Sequence, residues 1–237
     1  MRILLVGSGA REHALAEALV NGKAQPKLYG YLSNRNPGIL KLTEEYKIGD
    51  INDPKAVANY AGKIGADFAF IGPEEPNFHG VPDELEKRGI ACVGASRDVA
   101  VLEMSKAEMR RLMWKYQIPG RLPFKVFQNI KDATAYIDEY AESVAVKPAR
   151  QAGGKGVKVI ADLQAYLQGE KREAKRVAAR KIFEEHMKPY TGMQDKVLIE
   201  EKIEGPEYTL HCFADGKHLK PMPMVQDNKH AFEEDIG

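Results

Sequence analysis

The glycine-rich segment at residues 145–160 constrains the fold of this chain more than any other part of it. It reads Ala-Val-Lys-Pro-Ala-Arg-Gln-Ala-Gly-Gly-Lys-Gly-Val-Lys-Val-Ile, two apolar runs joined by a glycine-rich turn. Because glycine reaches positive φ without steric cost, the pattern predicts two strands with a tight connection. Backbone N–H groups of such a turn can point into one concavity, and Lys147 and Lys155 add positive charge beside it. The segment fits a polyphosphate cradle, although an ordinary hairpin explains the glycines alone equally well.

A second segment, at residues 197–210, favours the cradle. It reads Val-Leu-Ile-Glu-Glu-Lys-Ile-Glu-Gly-Pro-Glu-Tyr-Thr-Leu, and the two segments together resemble the ATP-grasp fold, in which the nucleotide lies between two sheets. The resemblance implies that Lys147 meets the phosphates and adenine, and that Glu207 holds the ribose hydroxyls. It also implies that Glu200, with the backbone of residues 201–203, contacts the adenine edge, whose donor and acceptor match a strand's C=O and N–H. The full set of implied ATP contacts is Lys106, Lys147, Gly153, Gly154, Lys155, Gly156, Glu200, Glu201, Ile203 and Glu207.

Composition describes an ordinary soluble protein of one large or two modest domains. The chain has 237 residues, of which 43% are hydrophobic and 29% are charged. The formal net charge of +1 gives no reason to expect binding to nucleic acid or to a membrane surface. The cysteines, Cys92 and Cys212, lie in apolar strand-like segments, which predicts buried, reduced thiols in a cytoplasmic protein and no cysteine metal site. No apolar run reaches transmembrane length.

The amino-terminal region begins like a doubly wound α/β domain. A short apolar strand runs into Gly-Ser-Gly at residues 7–9 and then into a helical pattern. This resembles a dinucleotide fingerprint, but Glu12 occupies the position of its third glycine, and Ser-Asn-Arg at 33–35 replaces the ribose-binding acid, so NAD binding is disfavoured. The helix N-terminus still favours a phosphate, and Arg11 and His13 in its first turn support that interpretation, unless they are plain surface residues.

Polar side chains near strand ends and helix starts supply further candidates. Glu74 follows the predicted strand Phe68–Ile71, at the carboxyl end where ligands of open α/β sheets bind, although a solvated loop residue is the alternative. Ser105 and Glu108 form a capping box that begins a helix. Lys106 in its first turn opposes the helix dipole, which suggests an anionic ligand. Other predicted elements are strands Lys27–Leu32 and Ala91–Val93 and a helix from Pro54, capped by Asp53, to Ile64.

The predicted architecture is α/β in several parts. A doubly wound, Rossmann-like pre-ATP-grasp domain at 1–104 leads into a connecting helix at 105–119, which the Ile-Pro-Gly sequence at 118–120 ends. An α+β ATP-grasp lid at 120–195 and the start of a second ATP-grasp sheet at 196–237 follow. The lid is predicted to contain strands Phe124–Phe127, Val144–Lys147 and Val157–Ile160 and helices near residues 131–142 and 162–188.

Five ordered motifs narrow the resemblance to one family. They are Gly-Ser-Gly-Ala-Arg-Glu-His-Ala-Leu at 7–15, Gly-Pro-Glu at 72–74, Leu-Glu-x-Ser-Lys at 102–106, Ala-Gly-Gly-Lys-Gly-Val at 152–157 and Gln-Asp-x-Lys at 226–229. Together they resemble the phosphoribosylamine-glycine ligases of purine biosynthesis, also called glycinamide ribonucleotide synthetases. The resemblance implies an ATP-dependent carboxylate-amine ligase. In this reaction ATP phosphorylates glycine, and the amine of 5-phosphoribosylamine attacks the glycyl phosphate, giving glycinamide ribonucleotide, ADP and phosphate.

The same resemblance implies a set of site residues. Lys155 and Asp227 would be catalytic, and the substrate-binding residues would be Gly9, Arg11, Glu12, His13, Glu74, Asp227 and Lys229. The magnesium or manganese ligands of the family lie in a segment that would follow Gly237, so no metal ligand is expected in this chain. Two alternatives remain open. The chain could be a truncated or split part, completed by a second polypeptide, that binds nucleotide without catalysis alone; or it could be an ATP-grasp ligase for another carboxylate.

Overall fold

A five-stranded parallel sheet organises the amino-terminal part of the computed structural model. The structure describes residues 1–129, 132, 135–136, 144–149, 158–160, 197–201, 203 and 205–226. The strands are β1 (Arg2–Val6), β2 (Lys27–Leu32), β3 (Glu45–Ile48), β4 (Phe68–Ile71) and β5 (Ala91–Val93). They pair in parallel in the order β3-β2-β1-β4-β5. This confirms the predicted doubly wound arrangement, in which successive strands are added first on one side of β1 and then on the other.

Seven helices flank or follow this sheet in the described part of the chain. They are α1 (Ala10–Asn21), α2 (Pro37–Leu42), α3 (Pro54–Ile64), α4 (Glu75–His79), α5 (Val81–Glu86), α6 (Arg97–Met104) and α7 (Lys106–Lys115). The predicted start of α3 is confirmed, because an Asp53 carboxylate oxygen accepts hydrogen bonds from the N–H groups of Lys55 and Ala56, both at 3.0 Å. The predicted start of α7 is also confirmed, since the Ser105 hydroxyl accepts from the Glu108 N–H at 3.2 Å.

The core lies on both faces of β1, the central strand. Leu4 and Val6 pack on one side with residues of α3 and α5, while Ile3 and Leu5 pack on the other side with residues of α1, α2 and β2. All four side chains are almost completely buried. Each contributes about 1.5–3 kcal/mol relative to an exposed side chain. A strand buried on both faces explains why β1 is a continuous apolar run rather than an alternating one.

A second, antiparallel sheet contains β6 (Phe124–Phe127), β7 (Val144–Pro148), β8 (Lys158–Ile160) and β9 (Val197–Glu201). Its order is β6-β9-β7-β8, so β9 pairs with both β6 and β7. These strands match the predicted ones within a residue at their described ends. On one face Leu198 packs with Ala107 of α7 and with Ala149. Helix α7 therefore covers the face of β9 that carries Leu198.

Two short antiparallel pairs follow. Strand β10 (Tyr208–Thr209) pairs with β13 (Val225–Gln226), and β11 (Cys212–Ala214) pairs with β12 (Leu219–Pro221). Cys212 on β11 is exposed, so its predicted burial is wrong, because no described element covers this two-stranded ribbon. Several predicted features lie in whole or in large part outside the described residues: the turn at 153–156, Asp227, Lys229 and the helices near 131–142 and 162–188. No helix in the described ranges is both long and apolar enough to cross a membrane.

Candidate functional site

A buried carboxylate with basic partners lies where α7 packs on the second sheet. Glu200 is only 3% exposed. Arg110 donates from Nε to one carboxylate oxygen at 2.7 Å and from Nη2 to the other at 3.2 Å. Lys147 Nζ donates to the same oxygen as Arg110 Nη2. Together with Lys106, these residues are called the basic cluster below.

The fold places this cluster by strand alternation and helix periodicity. Leu198 and Glu200 are two residues apart on β9 and therefore point to the same face, the one that α7 covers. Lys147 stands opposite Leu198 in the β7–β9 register, diagonal to Glu200. Lys106 and Arg110 are four residues apart and share one face of α7. The Lys106 N–H donates to the carbonyl of Ala149 at 2.8 Å, which anchors the first turn of α7 to the end of β7.

Opposite charges and burial compete within the basic cluster. Burial alone would raise the pKa of Glu200, but hydrogen bonds from Arg110 and Lys147 and their positive charges hold that pKa below its ordinary value. Burial lowers the pKa of Lys106, and the nearby Lys147 ammonium lowers it further. Three basic side chains thus surround one buried carboxylate, with Glu103 of α6 acting on Lys106 from outside the cluster. This excess of positive charge suits a polyanion such as a polyphosphate.

Three of the predicted ATP contacts lie together in the structure. Lys106, Lys147 and Glu200 lie in the basic cluster, although the Glu200 carboxylate binds Arg110 and Lys147 instead of facing open space. The N–H of Glu201 donates to the carbonyl of Pro123 at 3.2 Å. Beyond β9, Ile203 is 66% exposed and Glu207 is exposed beside β10. Gly153, Gly154, Lys155 and Gly156 are outside the described residues.

Arg110 is the member of the cluster that sequence reasoning missed. It belongs to none of the five motifs, and its partner lies 90 residues away in the chain. The available signal was its spacing of four residues from Lys106, which puts both cations on one side of a predicted helix. The sequence could not show that this side meets a glutamate, because that requires knowing how the helix packs on the sheet.

The second group of candidates lies at the carboxyl ends of β1 and β4. Glu12 is 4% exposed, and one of its oxygens accepts from the Gly9 N–H at 2.5 Å. Its other oxygen is buried without a hydrogen-bond partner in the described part of the chain. A Cβ built on Gly72 would lie 2.4 Å from that oxygen, and one on Gly7, which has φ of 121°, would lie 2.8 Å from Glu12 Cγ. The carboxylate therefore fills the space that the glycine turns leave, which explains why a dinucleotide fingerprint fails here.

Arg11 and Glu74, both predicted to bind substrate, contact each other. Arg11 Nη2 lies 3.3 Å from Glu74 Oε2, and the Arg11 side chain is 75% exposed. His13 lies on the other side of α1, with Nε2 at 3.3 Å from Glu17, and its ring packs so close to Gly38 that a Cβ there would be 2.1 Å away. The pair of Arg11 and Glu74 thus faces solvent at the edge of the sheet formed by the carboxyl ends of β1 and β4, which is called the rim below. Glu12 supports the glycine turn beneath this pair.

Two polar residues that the sequence analysis passed over connect the loops at this rim. The Ser8 hydroxyl accepts from the N–H groups of Ser33 at 2.8 Å and Asn34 at 3.3 Å. Asn36 caps α2 with its Oδ1 and donates from Nδ2 to the Ser8 carbonyl at 3.0 Å. These hydrogen bonds fix the loop after β1 to the loop after β2. Their signal in the sequence was the position of small polar residues directly after adjacent parallel strands.

Comparison with known families matches the chain from end to end. Residues 1–103 match the model of the phosphoribosylglycinamide synthetase N domain. Residues 104–237 match the model of the phosphoribosylglycinamide synthetase ATP-grasp (A) domain. The rim at the carboxyl ends of β1 and β4 therefore falls in the first match, and the basic cluster falls in the second.

Curated relatives and one solved structure are named phosphoribosylamine–glycine ligase. The chain is 47% identical to a phosphoribosylamine–glycine ligase of Methanopyrus kandleri and 44% identical to one of Pyrococcus horikoshii, in both cases over 100% of this chain and 51% of the relative. It thus spans about half the length of the curated relatives it matches. The fold resembles a Thermotoga maritima phosphoribosylamine–glycine ligase (TM-score 0.71, 22% identity, 100% of this chain and 53% of that one). It equally resembles an ADP complex of N5-carboxyaminoimidazole ribonucleotide synthetase (TM-score 0.71, 15% identity, 96% and 54%).

Proposed function

The chain belongs to the phosphoribosylglycinamide synthetase family, and on that premise we propose that it binds ATP and 5-phosphoribosylamine for the ATP-dependent ligation of glycine. ATP phosphorylates the glycine carboxylate, and the amine of 5-phosphoribosylamine then attacks the acyl carbon of glycyl phosphate. Inorganic phosphate leaves, and the products are glycinamide ribonucleotide, ADP and phosphate. The residues must neutralise crowded phosphate oxygens, exclude water from the acyl phosphate and hold the amine close to the carbonyl.

The basic cluster is the observation that carries this proposal. Lys106 and Lys147 supply two ammonium groups beside a buried carboxylate that also binds Arg110, so the cluster keeps a net positive charge that favours a polyphosphate. Each is partly shielded from water, which strengthens its attraction for phosphate oxygens compared with an exposed lysine. A charge-assisted hydrogen bond of this kind contributes about 1.5–3 kcal/mol.

The remaining nucleotide contacts are assigned around this anchor. The backbone of residues 201–203 contacts adenine where β9 ends, and Glu207 holds the ribose hydroxyls. The Glu200 carboxylate fixes the position of β9 through its contacts with Arg110 of α7 and Lys147 of β7. Lys155, in the glycine-rich segment at 153–156, is assigned to the phosphates, and Asp227 and Lys229 are assigned to the substrates; all of these residues lie outside the described part of the chain.

The rim of the first sheet is assigned to 5-phosphoribosylamine. Arg11 is exposed and forms an ion pair with Glu74 at the surface, so it can turn toward a phosphate at little cost. Gly9 lies at the start of α1, where backbone N–H groups favour an anion, and His13 lies on the other side of that helix, beside Gly38. The Glu12 carboxylate is buried, so we assign it to supporting the glycine turn of this site rather than to contacting the substrate. In this arrangement residues 1–104 hold the phosphoribosylamine, residues 105–119 connect the two parts and supply Lys106 to the nucleotide, and residues 120–195 and 196–237 hold the rest of ATP.

A divalent metal is the usual companion of ATP in phosphoryl transfer. Within the described ranges, no group of three or more His, Cys, Asp or Glu side chains is arranged to hold a metal ion. The described residues therefore offer no such set of ligands to a metal that accompanies ATP.

Titration calorimetry with ATP and with adenosine tests the proposal. Replacing Lys106 or Lys147 with methionine removes a phosphate contact, so each variant should lose about tenfold or more in ATP affinity and little in adenosine affinity. Lys115→Met, on the exposed end of the same helix α7, is the matched control and should bind both ligands like the parent chain. Equal losses for ATP and adenosine in the two cluster variants would refute the phosphate assignment.

A further inference from the structure

The two cations that neutralise Glu200 are not equivalent. Arg110 reaches both carboxylate oxygens, through Nε at 2.7 Å and Nη2 at 3.2 Å. Lys147 reaches one oxygen, which it shares with Arg110. An arginine fork holds its geometry and keeps its charge at all ordinary pH values, whereas an ammonium on a flexible four-carbon stem can move. Arg110 is the fixed partner of the carboxylate, and Lys147 is the movable one.

Nucleotide binding changes the balance between these partners. Phosphates compete with Glu200 for the Lys147 ammonium, and the carboxylate then depends on its remaining partner. The Glu200 side chain is 2% exposed, and leaving such a carboxylate unpaired is strongly unfavourable, because burial removes its hydration. Without Arg110, Lys147 would have to stay with Glu200 and could not bind the phosphates.

We propose that Arg110 is a positioning residue that keeps Glu200 neutralised and so releases Lys147 to bind the phosphates of the nucleotide. The inference rests on the proposed function, because it describes how the same cluster receives ATP. Arg110 itself does not touch the nucleotide. Its effect appears only for ligands that carry phosphates, since adenosine leaves Lys147 on Glu200.

The test compares the affinity ratio of ATP to adenosine among variants of the 237-residue chain, measured by titration calorimetry. Arg110→Met should weaken ATP binding about tenfold or more while leaving adenosine nearly unchanged. Adding Glu200→Gln to Arg110→Met removes the buried charge, so Lys147 is free again and the ratio should return close to that of the parent. Arg110→Lys, which retains the charge without the fork, should lie between the two. Arg111→Met on the same helix, whose arginine pairs with the exposed Glu108, is the control and should leave the ratio unchanged.

The outcomes separate this inference from the proposed function. If the parent chain binds ATP no better than adenosine, the phosphate site itself is wrong, and the inference is overturned with it. If the parent prefers ATP and Arg110→Met keeps that preference, or loses affinity for both ligands equally, the inference fails while the proposed function stands. Failure of Glu200→Gln to restore the ratio also overturns it. Circular dichroism checks folding, and if Arg110→Met is unfolded, Arg110→Lys with and without Glu200→Gln provides the same comparison.

Discussion

Replacing Gly72 with alanine should destabilise the amino-terminal domain because of one side chain, Glu12. A Cβ at position 72 would lie 2.3 Å from Glu12 Cγ, 2.4 Å from its Oε1 and 2.7 Å from its Cδ. Such distances are far inside van der Waals contact, and Glu12 is 4% exposed, so it has no room to retreat. Inserting a methyl group into packing this tight costs about 1–3 kcal/mol.

The matched control is Gly62→Ala in α3, where a Cβ would meet nothing within 4 Å. There the substitution should stabilise the chain by about 0.5–1 kcal/mol, because alanine has the higher helix propensity. Urea unfolding followed by circular dichroism measures both changes in the free energy of unfolding.

A double-mutant cycle identifies Glu12 as the cause. Glu12→Ala removes the atoms that the new methyl group would strike, so Gly72→Ala should cost much less in that background than in the parent chain. If Gly72→Ala costs the same with and without Glu12, or costs nothing, the Glu12 carboxylate does not occupy the position described here.

Two further predictions concern ionisation. Because the pKa of Glu200 is lowered in the folded chain, its charge contributes stability that is fully present above the unfolded glutamate pKa of about 4.3 and is lost as the pH falls through the lower folded value. Glu200→Gln should therefore lower the free energy of unfolding on the order of 3 kcal/mol at neutral pH, and by less in acid. A difference in urea unfolding that does not change with pH would contradict this. Burial raises the pKa of Cys92 to about 11, whereas Cys212 is exposed, so a disulfide reagent at pH 8 should label Cys212 first. Cys212→Ser should abolish the rapid phase of labelling. A rapid phase that survives the substitution would show that Cys92 is the accessible thiol.

Elements with strong local signals were predictable from the sequence. Strand β1 is a continuous apolar run because both faces are buried, and α3 has an aspartate cap, a proline at its first position and a glycine just after its end. Strand β3 was missed because Glu45–Ile48 is an exposed edge strand, with neither alternation nor an apolar run. Helices α2, α4 and α5 have only five or six residues each, too few for a helical periodicity to emerge.

In the candidate site, too, the residues with a local sequence signal were predictable, and the contacts between distant segments were not. Lys106, Lys147 and Glu200 could be singled out because each lies in a local motif, but the interaction that organises them connects α7 to β9 across 90 residues of chain. Glu12 was visible in the sequence as a departure from a glycine pattern, yet only the fold shows that its carboxylate occupies the turn itself. A local pattern identifies unusual residues, whereas tertiary packing determines which way they point.

In the proposed function, the basic cluster receives the phosphates of ATP. The most direct measurement is a crystal structure of this chain with a non-hydrolysable ATP analogue, in which the distance from Lys147 Nζ to the nearest phosphate oxygen is read. We expect a distance of about 2.7–2.9 Å, the length of a charge-assisted hydrogen bond, with Arg110 still bound to Glu200. A nucleotide whose phosphates lie away from both Lys106 and Lys147 would contradict it.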